Sequence, residues 1–145
     1  IGDITLLPEK TKKALEECEV KTSKGNKLTL ILALSYSSRW EIVQATKKLI
    51  RGVREGKIKE EEIDESLFSD YLSTKGIPDT DLVIRTGGEQ RMSNFLLWQS
   101  AYAELYFTET FWPAFREEDL YAAIIDYQRR ERRFGKISEQ IESAK

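Results

Sequence analysis

The pattern of apolar and polar positions predicts strands and helices in alternation. Residues 28–34, LTLILAL, form a nearly continuous apolar run between a turn at residues 24–26 and a polar stretch. Periodicity alone permits a helix there, but the flanking turn and serines favour a buried parallel strand. The shorter run at residues 82–84, which is apolar and β-branched, predicts a strand buried on both faces of a parallel sheet. Residues 105–107 predict a further short strand.

Helical spacing of apolar residues and capping signals predict five helices. They span residues 9 to about 19, 39 to about 55, 64 or 65 to 72, and 117 to 133, with one more after Ser93 and Asn94. Ser37 or Ser38 can cap the second helix, and Gly56 lies where that helix should end. The order strand, helix, strand, helix predicts an α/β layered fold, with a mainly parallel sheet and helices on both faces.

The composition suits one globular domain. The chain has 145 residues, of which 40% are apolar and 33% charged, so it is long enough for one core and too short for two ordinary domains. A net charge of −2 gives no electrostatic case for a nucleic-acid partner. The single Cys18 excludes an internal disulfide framework. The sequence has no histidine, which excludes histidine-based catalysis and histidine metal ligands.

The stretch 81–100, DLVIRTGGEQRMSNFLLWQS, combines a predicted strand end, two glycines and a predicted helix start. Ligands of open α/β sheets bind outside the carboxyl ends of the strands. Glycines at 87 and 88 can turn backbone N–H groups toward an anion, and a helix N-terminus adds partial positive charge. This order therefore predicts an anion site.

Two arginines give that site its chemistry. Arg85 and Arg91 carry guanidinium forks suited to phosphate oxygens, and Ser93 adds a hydroxyl. We therefore predict a phosphate or diphosphate cradle. The alternative is an ordinary Gly-Gly turn in which Arg85 pairs with Glu89 or Asp81.

The same stretch and its surroundings resemble the cis-prenyltransferase family, and most nearly its undecaprenyl diphosphate synthases. The resemblance continues through AYAELYF at 101–107, SYSSRWEI at 35–42, FWPAF at 111–115 and RERRFG at 130–135. It implies the fold of those enzymes. It also implies an Mg²⁺-dependent transferase that condenses isopentenyl diphosphate in the cis configuration onto an allylic prenyl diphosphate such as farnesyl diphosphate. The implied product is a long-chain polyprenyl diphosphate lipid carrier, undecaprenyl diphosphate.

The resemblance also implies roles for individual residues. Arg85, Arg91 and Ser93 match the positions that hold the diphosphate of isopentenyl diphosphate, with the backbone of Met92 beside them. Glu104 matches an acidic residue implicated in Mg²⁺ binding. Without the resemblance, we would interpret Glu104 as a solvated or hydrogen-bonded glutamate.

A homodimer is a further implication of the resemblance. It places Trp112 near the dimer interface and associates Arg133 and Gly135 with completing the site of the partner subunit. No stretch approaches the roughly 20 apolar residues that a membrane span requires. We therefore expect a cytoplasmic enzyme in peripheral contact with the inner membrane face, where its lipid product goes, and no nucleic-acid partner.

Some family features differ or are missing. Gln90 stands where many bacterial members have histidine, and serines at 37 and 38 replace the commoner Gly-Gly. The allylic-diphosphate motif Asp-Gly-Asn-Gly-Arg-Trp-Ala and the Ser-x-Glu-Asn segment are absent. Because the chain opens with Ile1 and its only methionine is Met92, we expect residues 1–145 to be the C-terminal part of a single domain, with a flexible tail at 138–145.

A non-catalytic partner subunit that keeps the fold and the dimer surface is the alternative function. The joint presence of Arg85, Arg91, Ser93 and Glu104 argues against it, because a scaffold has no need of all four.

These 145 residues on their own are expected to bind isopentenyl diphosphate weakly and not to elongate farnesyl diphosphate, because the allylic-site motif is missing. The measurement is incorporation of labelled isopentenyl diphosphate in the presence of Mg²⁺, with a full-length family member as the positive control. Turnover by the 145-residue chain would refute the expectation.

Overall fold

The structure, a computed structural model, describes residues 1–131 and contains helices and a parallel sheet, as predicted. The helices are α1 (Glu9–Thr22), α2 (Ser38–Arg54), α3 (Glu65–Ser69) and α4 (Glu117–Arg129), and the strands are β1 (Leu82–Arg85) and β2 (Glu104–Phe107). Short 3₁₀ turns lie at Ile4–Leu6, Glu60–Glu62 and Trp112–Ala114. The chain divides into two compact units, Ile1–Pro78 and Asp79–Lys145. A single domain stays a prediction, and the predicted tail at 138–145 lies outside the described residues.

Helix α2 forms the centre of the first unit, and its ends are set by the predicted residues. The Ser37 hydroxyl accepts a hydrogen bond from the Trp40 N–H at 3.4 Å, which caps the first turn. Gly56 follows the last turn with φ +67°, a left-handed conformation that favours glycine. The buried positions Ala45, Leu49 and Gly52 repeat every three or four residues and form the helix face that packs inward.

Glu41 is the largest fully buried side chain of the described residues, a role that the sequence did not predict. The Tyr36 hydroxyl donates to its Oε2 at 2.6 Å, and the Ser73 N–H donates to its Oε1 at 2.8 Å. A buried carboxylate is tolerated only when its oxygens are hydrogen-bonded. Glu41 therefore joins the segment before α2 to the segment after α3.

The strand predicted at residues 28–34 is wrong. The segment forms no strand, and the C-terminal part of it is hydrogen-bonded to the start of the chain: the Leu34 N–H donates to Ile1 O at 2.9 Å, and the Ile1 amino group donates to Leu32 O at 2.7 Å. Leu28 and Leu30 are 86% and 78% exposed. A strand needs a continuous ladder with a neighbour, and these few bonds at one end of the segment do not make one.

In the second unit β1 and β2 pair in parallel, which confirms two of the predicted strands and their direction. The register places Leu82 opposite Glu104 and Arg85 opposite Phe107. All eight strand residues are only partly buried, so the expectation that β1 is buried on both faces is wrong. The described sheet has two strands, and both edges of this pair lack a strand neighbour within residues 1–131.

Helix α4 starts where the sequence predicts and ends earlier. Asp119 closes its first turn by accepting the Arg116 N–H at Oδ2 (2.8 Å). The helix ends at Arg129, and Arg130 has the extended values φ −84° and ψ 140°. The predicted continuation to residue 133 is therefore wrong at its C-terminal end, because an extended residue cannot continue the α-helical hydrogen-bond pattern.

Replacing Glu41 tests its structural role. Glu41→Ala leaves the Tyr36 hydroxyl and the Ser73 N–H without their acceptor, so we expect it to lower the free energy of unfolding by about 3 kcal/mol. Tyr36→Phe removes one of the two bonds and should cost about 1 kcal/mol. Urea unfolding followed by circular dichroism measures both. An alanine variant no less stable than the phenylalanine variant would contradict this account of Glu41.

Candidate functional site

Arg85 is the last residue of β1, and the ladder fixes its backbone at the carboxyl end of the sheet. Its carbonyl accepts the Thr108 N–H at 3.0 Å, which extends the pairing one step beyond β2. The side chain is half-buried and forms no ion pair with any residue in 1–131, including Asp81 and Glu89, the partners considered from the sequence. A half-buried guanidinium without a counter-ion within this part of the chain is suited to an anionic ligand.

The two glycines after Arg85 have the left-handed backbone expected of them but not the expected free N–H groups. Gly87 and Gly88 have φ +83° and +76°. The Gly87 N–H donates to Thr110 O at 3.0 Å, and the Gly88 N–H donates to Thr108 O at 2.9 Å. The prediction that these N–H groups face an anion is therefore wrong, because both are used to attach the loop to the segment after β2.

That segment is in turn attached to α4. The Thr110 hydroxyl donates to Asp119 Oδ1 at 3.1 Å, and Asp119 caps the helix as described above. An ideal Cβ at Gly88 would lie 2.5 Å from Glu109 Oε2, so glycine also permits a close approach there. The loop after β1 is thus hydrogen-bonded to the backbone of residues 108–110, and Thr110 is in turn hydrogen-bonded to the start of α4.

Arg91 is paired, in a way that the sequence did not predict. Its Nη1 contacts the Glu89 carboxylate, with the two side chains 66% and 45% exposed. An exposed ion pair of this kind contributes about 0–1 kcal/mol, because water and salt screen it. A diphosphate with several negative charges can therefore replace Glu89 as the partner of Arg91.

The helix predicted after Ser93 is wrong. Ser93, Asn94 and Leu96 have φ values of 48°, 63° and 45°, which no right-handed helix accommodates. The Phe95 N–H donates to Met92 O at 3.1 Å, which closes a turn instead. The site therefore has no helix N-terminus here, and its positive charge comes from arginine side chains.

Glu104 lies apart from Arg85 in the sheet. The register pairs Glu104 with Leu82 at the start of β1, about 10 Å along the strand from Arg85 at 3.3 Å per residue. Side chains alternate between the faces of a strand, and partners in register share a face, so Glu104 and Arg85 lie on opposite faces. Arg85 thus ends β1, Arg91 and Ser93 lie in the segment that follows it, and Glu104 lies at the start of β2.

Glu104 takes part in an ion-pair cluster with two residues that sequence reasoning did not select. Arg130 Nη1 donates to Glu104 Oε2 at 2.9 Å, and Arg130 Nε donates to Asp126 Oδ2 at 2.8 Å. The hydrogen bond to Glu104 raises the pKa of Arg130, burial opposes this, and Asp126 adds to the rise. The available sequence signal was the spacing of Asp126 and Arg130, four residues apart, which would place them on one face of the helix predicted to continue to residue 133.

Within residues 1–131 the donor set could supply part of a magnesium site and not a complete one. Mg²⁺ prefers oxygen ligands and is typically held by one or two carboxylates together with substrate phosphates. Glu104 offers one carboxylate, of which Oε1 has no partner in residues 1–131. No group of three or more acidic, histidine or cysteine side chains that could hold a metal occurs in that range.

The residues expected at a dimer interface are only partly described. Trp112 is 73% exposed and stacks on Phe115, with the ring centroids 6.0 Å apart. Phe111 beside it is 70% exposed. Arg133 and Gly135 lie outside the described residues. The interface stays a prediction, for which an exposed aromatic surface is a suitable feature.

Comparison with known proteins identifies the family. The family model described as "Putative undecaprenyl diphosphate synthase" matches residues 1–135. The chain therefore belongs to this family of cis-prenyltransferases, as its motifs indicated. None of the helices in residues 1–131 is long and apolar enough to cross a lipid bilayer.

Individual relatives are similar over almost all of the chain. An isoprenyl transferase of Porphyromonas gingivalis is 57% identical over 141 residues, which cover 97% of this chain and 56% of that protein. A ditrans,polycis-undecaprenyl-diphosphate synthase ((2E,6E)-farnesyl-diphosphate specific) of Pseudomonas syringae pv. tomato is 46% identical over 143 residues, 99% of this chain and 57% of that protein.

A solved structure confirms the fold class. Lavandulyl diphosphate synthase from Lavandula x intermedia, in complex with dimethylallyl diphosphate, matches with a TM-score of 0.90 and 40% identity over 94% of this chain and 58% of that one. The α/β fold of the family is thus the fold of this chain. The chain spans about half the length of the curated relatives it matches.

Gly88 offers a test of the loop. Gly88→Ala should lower the free energy of unfolding by about 1–2 kcal/mol for its left-handed backbone, with a small further cost because the flexible end of the Glu109 side chain must move. Gly56→Ala, at φ +67° with nothing within 4 Å of an added Cβ, is the control for the backbone cost alone. Adding Glu109→Ala to Gly88→Ala should bring the cost down to that of Gly56→Ala. Urea unfolding measures all three variants. An unchanged cost in the double variant would show that the contact with Glu109 is unimportant.

Proposed function

We propose that the protein is an Mg²⁺-dependent cis-prenyltransferase. It condenses isopentenyl diphosphate onto an allylic diphosphate such as farnesyl diphosphate and makes a long-chain polyprenyl diphosphate, undecaprenyl diphosphate, as lipid carrier. Family membership supports the reaction class. The observation that carries the site assignment is the half-buried Arg85, without a counter-ion in residues 1–131, at the carboxyl end of β1.

In this proposal Arg85, Arg91 and Ser93 hold the diphosphate of isopentenyl diphosphate, and the Met92 backbone lies beside it. Arg85 contributes a guanidinium that does not have to break an ion pair with any residue in 1–131 before it binds phosphate oxygens. Arg91 exchanges the exposed Glu89 carboxylate for phosphate oxygens. Each charge-assisted pair contributes roughly 1.5–3 kcal/mol. The arginines thereby fix the homoallylic substrate in place for attack on the allylic one, and such positioning lowers the barrier.

The role proposed for Glu104 is to bind Mg²⁺. When bound, the cation stabilises the negative charge that develops on the departing pyrophosphate. Because Glu104 and Arg85 of one chain lie on opposite faces of the sheet, a cation at Glu104 is not adjacent to a diphosphate at Arg85 of the same chain. We therefore place the function in a homodimer, in which Trp112, Arg133 and Gly135 belong to the interface and one protomer completes the site of its partner.

The lipid product gives a reason for peripheral contact with the inner membrane face, which is part of the proposal. The alternative, a non-catalytic partner subunit, is disfavoured by Arg85. A half-buried guanidinium with no ion pair in residues 1–131 is costly for a protein that has no anion to bind.

Substitution at the loop tests the diphosphate site. Arg85→Lys and Arg91→Lys keep the charge but lose the planar fork, and each should weaken binding of isopentenyl diphosphate about tenfold. Glu89→Gln removes the competing carboxylate and should tighten binding about threefold at low salt. Isothermal titration calorimetry of the full-length protein measures all three.

Two controls accompany these titrations. Arg129→Lys, at an exposed arginine of α4 with no ion pair in residues 1–131, should leave the affinity unchanged. ATP in place of isopentenyl diphosphate tests for a general phosphate site. Equal affinity for the two ligands, or unchanged affinity in Arg85→Lys, would refute the assignment.

A further inference from the structure

Arg130 links the C-terminal end of α4 to the first residue of β2. Its guanidinium uses two edges for different partners: Nε and Nη2 contact Asp126 Oδ2 at 2.8 and 2.5 Å, and Nη1 contacts Glu104 Oε2 at 2.9 Å. Asp126 lies four residues before Arg130, in the last turn of α4. The planar guanidinium is therefore held by two bonds on one side while it donates to Glu104 from the other, and it cannot rotate without breaking contacts.

This cluster is less exposed than the ion pair between Arg91 and Glu89. The Arg130 and Glu104 side chains are 33% and 26% exposed, whereas those of Arg91 and Glu89 are 66% and 45% exposed. Lower exposure means weaker screening by water and salt, so the bond between Arg130 and Glu104 holds its geometry better. Asp126, at 45% exposed, keeps contact with solvent.

As a result, one oxygen of the Glu104 carboxylate is fixed and the other is available. Oε2 accepts from Arg130, while Oε1 has no hydrogen-bond partner in residues 1–131. The backbone of Glu104 is also fixed, since its N–H donates to Asp81 O at 2.9 Å. A carboxylate fixed at its backbone and at one oxygen presents the other oxygen in a defined position, which is the condition for a metal ligand that binds through one oxygen.

We propose that Arg130, oriented by Asp126, is a positioning residue that holds the Glu104 carboxylate ready for a divalent cation. The inference rests on the proposed cation role of Glu104. Outer partners of metal ligands fix ligand orientation, and their loss typically weakens metal binding 10- to 100-fold. If the bond between Arg130 and Glu104 only joined α4 to β2, its loss would lower the stability of the fold and leave the cation affinity unchanged.

The test measures Mn²⁺ binding by electron paramagnetic resonance in the full-length protein with isopentenyl diphosphate present. Arg130→Lys keeps the charge but loses the fork, and it should raise the Mn²⁺ dissociation constant about tenfold. Asp126→Asn leaves Arg130 in place but weakens its orientation and should raise the constant by a smaller factor. Arg129→Lys, at the neighbouring residue, is the matched control and should leave the Mn²⁺ dissociation constant unchanged. Thermal unfolding of each variant separates loss of fold from loss of cation affinity.

Glu104→Gln distinguishes this inference from the function on which it rests. If Glu104→Gln weakens Mn²⁺ binding and Arg130→Lys has no further effect in that background, Arg130 acts through Glu104, as inferred. If Glu104→Gln weakens binding while Arg130→Lys and Asp126→Asn do not, the inference is overturned and the cation role of Glu104 stands. The inference is also overturned if Arg130→Lys weakens binding equally in both backgrounds. If Glu104→Gln has no effect, the cation role itself fails, and the inference fails with it.

Discussion

The second unit of this chain depends on the parallel pairing of β1 with β2 and on its continuation beyond both strands. The carbonyl of Arg85 and the N–H groups of Gly87 and Gly88 carry the pairing on to residues 108–110. Thr110 then bonds to Asp119 at the start of α4, and Arg130 returns from the end of α4 to Glu104. One connected set of hydrogen bonds thus orients both the loop that carries the arginines and the acidic residue.

The sequence predicted correctly those features that depend only on neighbouring residues, such as the ends of helices. Ser37 as the cap of α2, Gly56 as its stop and the acidic start of α4 follow from the needs of helix ends, and all three are observed. The short strands were also predictable, since apolar residues dominate them. Residues 28–34 were misassigned because strand formation depends on a partner elsewhere, which a pattern of apolar residues does not reveal.

For the candidate site, the sequence allowed residue types to be selected but did not reveal the conformation of the segment that carries them. Sequence reasoning selected Arg85, Arg91 and Glu104, but it did not foresee that Leu96 adopts a positive φ, since leucine carries no signal for it. It also missed Arg130, because the bond to Glu104 joins residues that are distant in sequence. Arg85 and Glu104 lie on opposite faces of the sheet because of the register between β1 and β2, which only the structure supplies.

The N–H groups of Gly87 and Gly88 already donate to backbone carbonyls, which affects how substitutions in this loop can change ligand binding. A phosphate-binding loop built from main-chain donors survives most substitutions, because every residue type except proline supplies the same N–H group. In the proposed site the attraction for an anion comes instead from the guanidinium groups of Arg85 and Arg91, since the glycine N–H groups are hydrogen-bonded within the chain. If the attraction resides in two side chains, as proposed, a single-codon change at either arginine removes part of it while the hydrogen bonds of Gly87 and Gly88 stay in place.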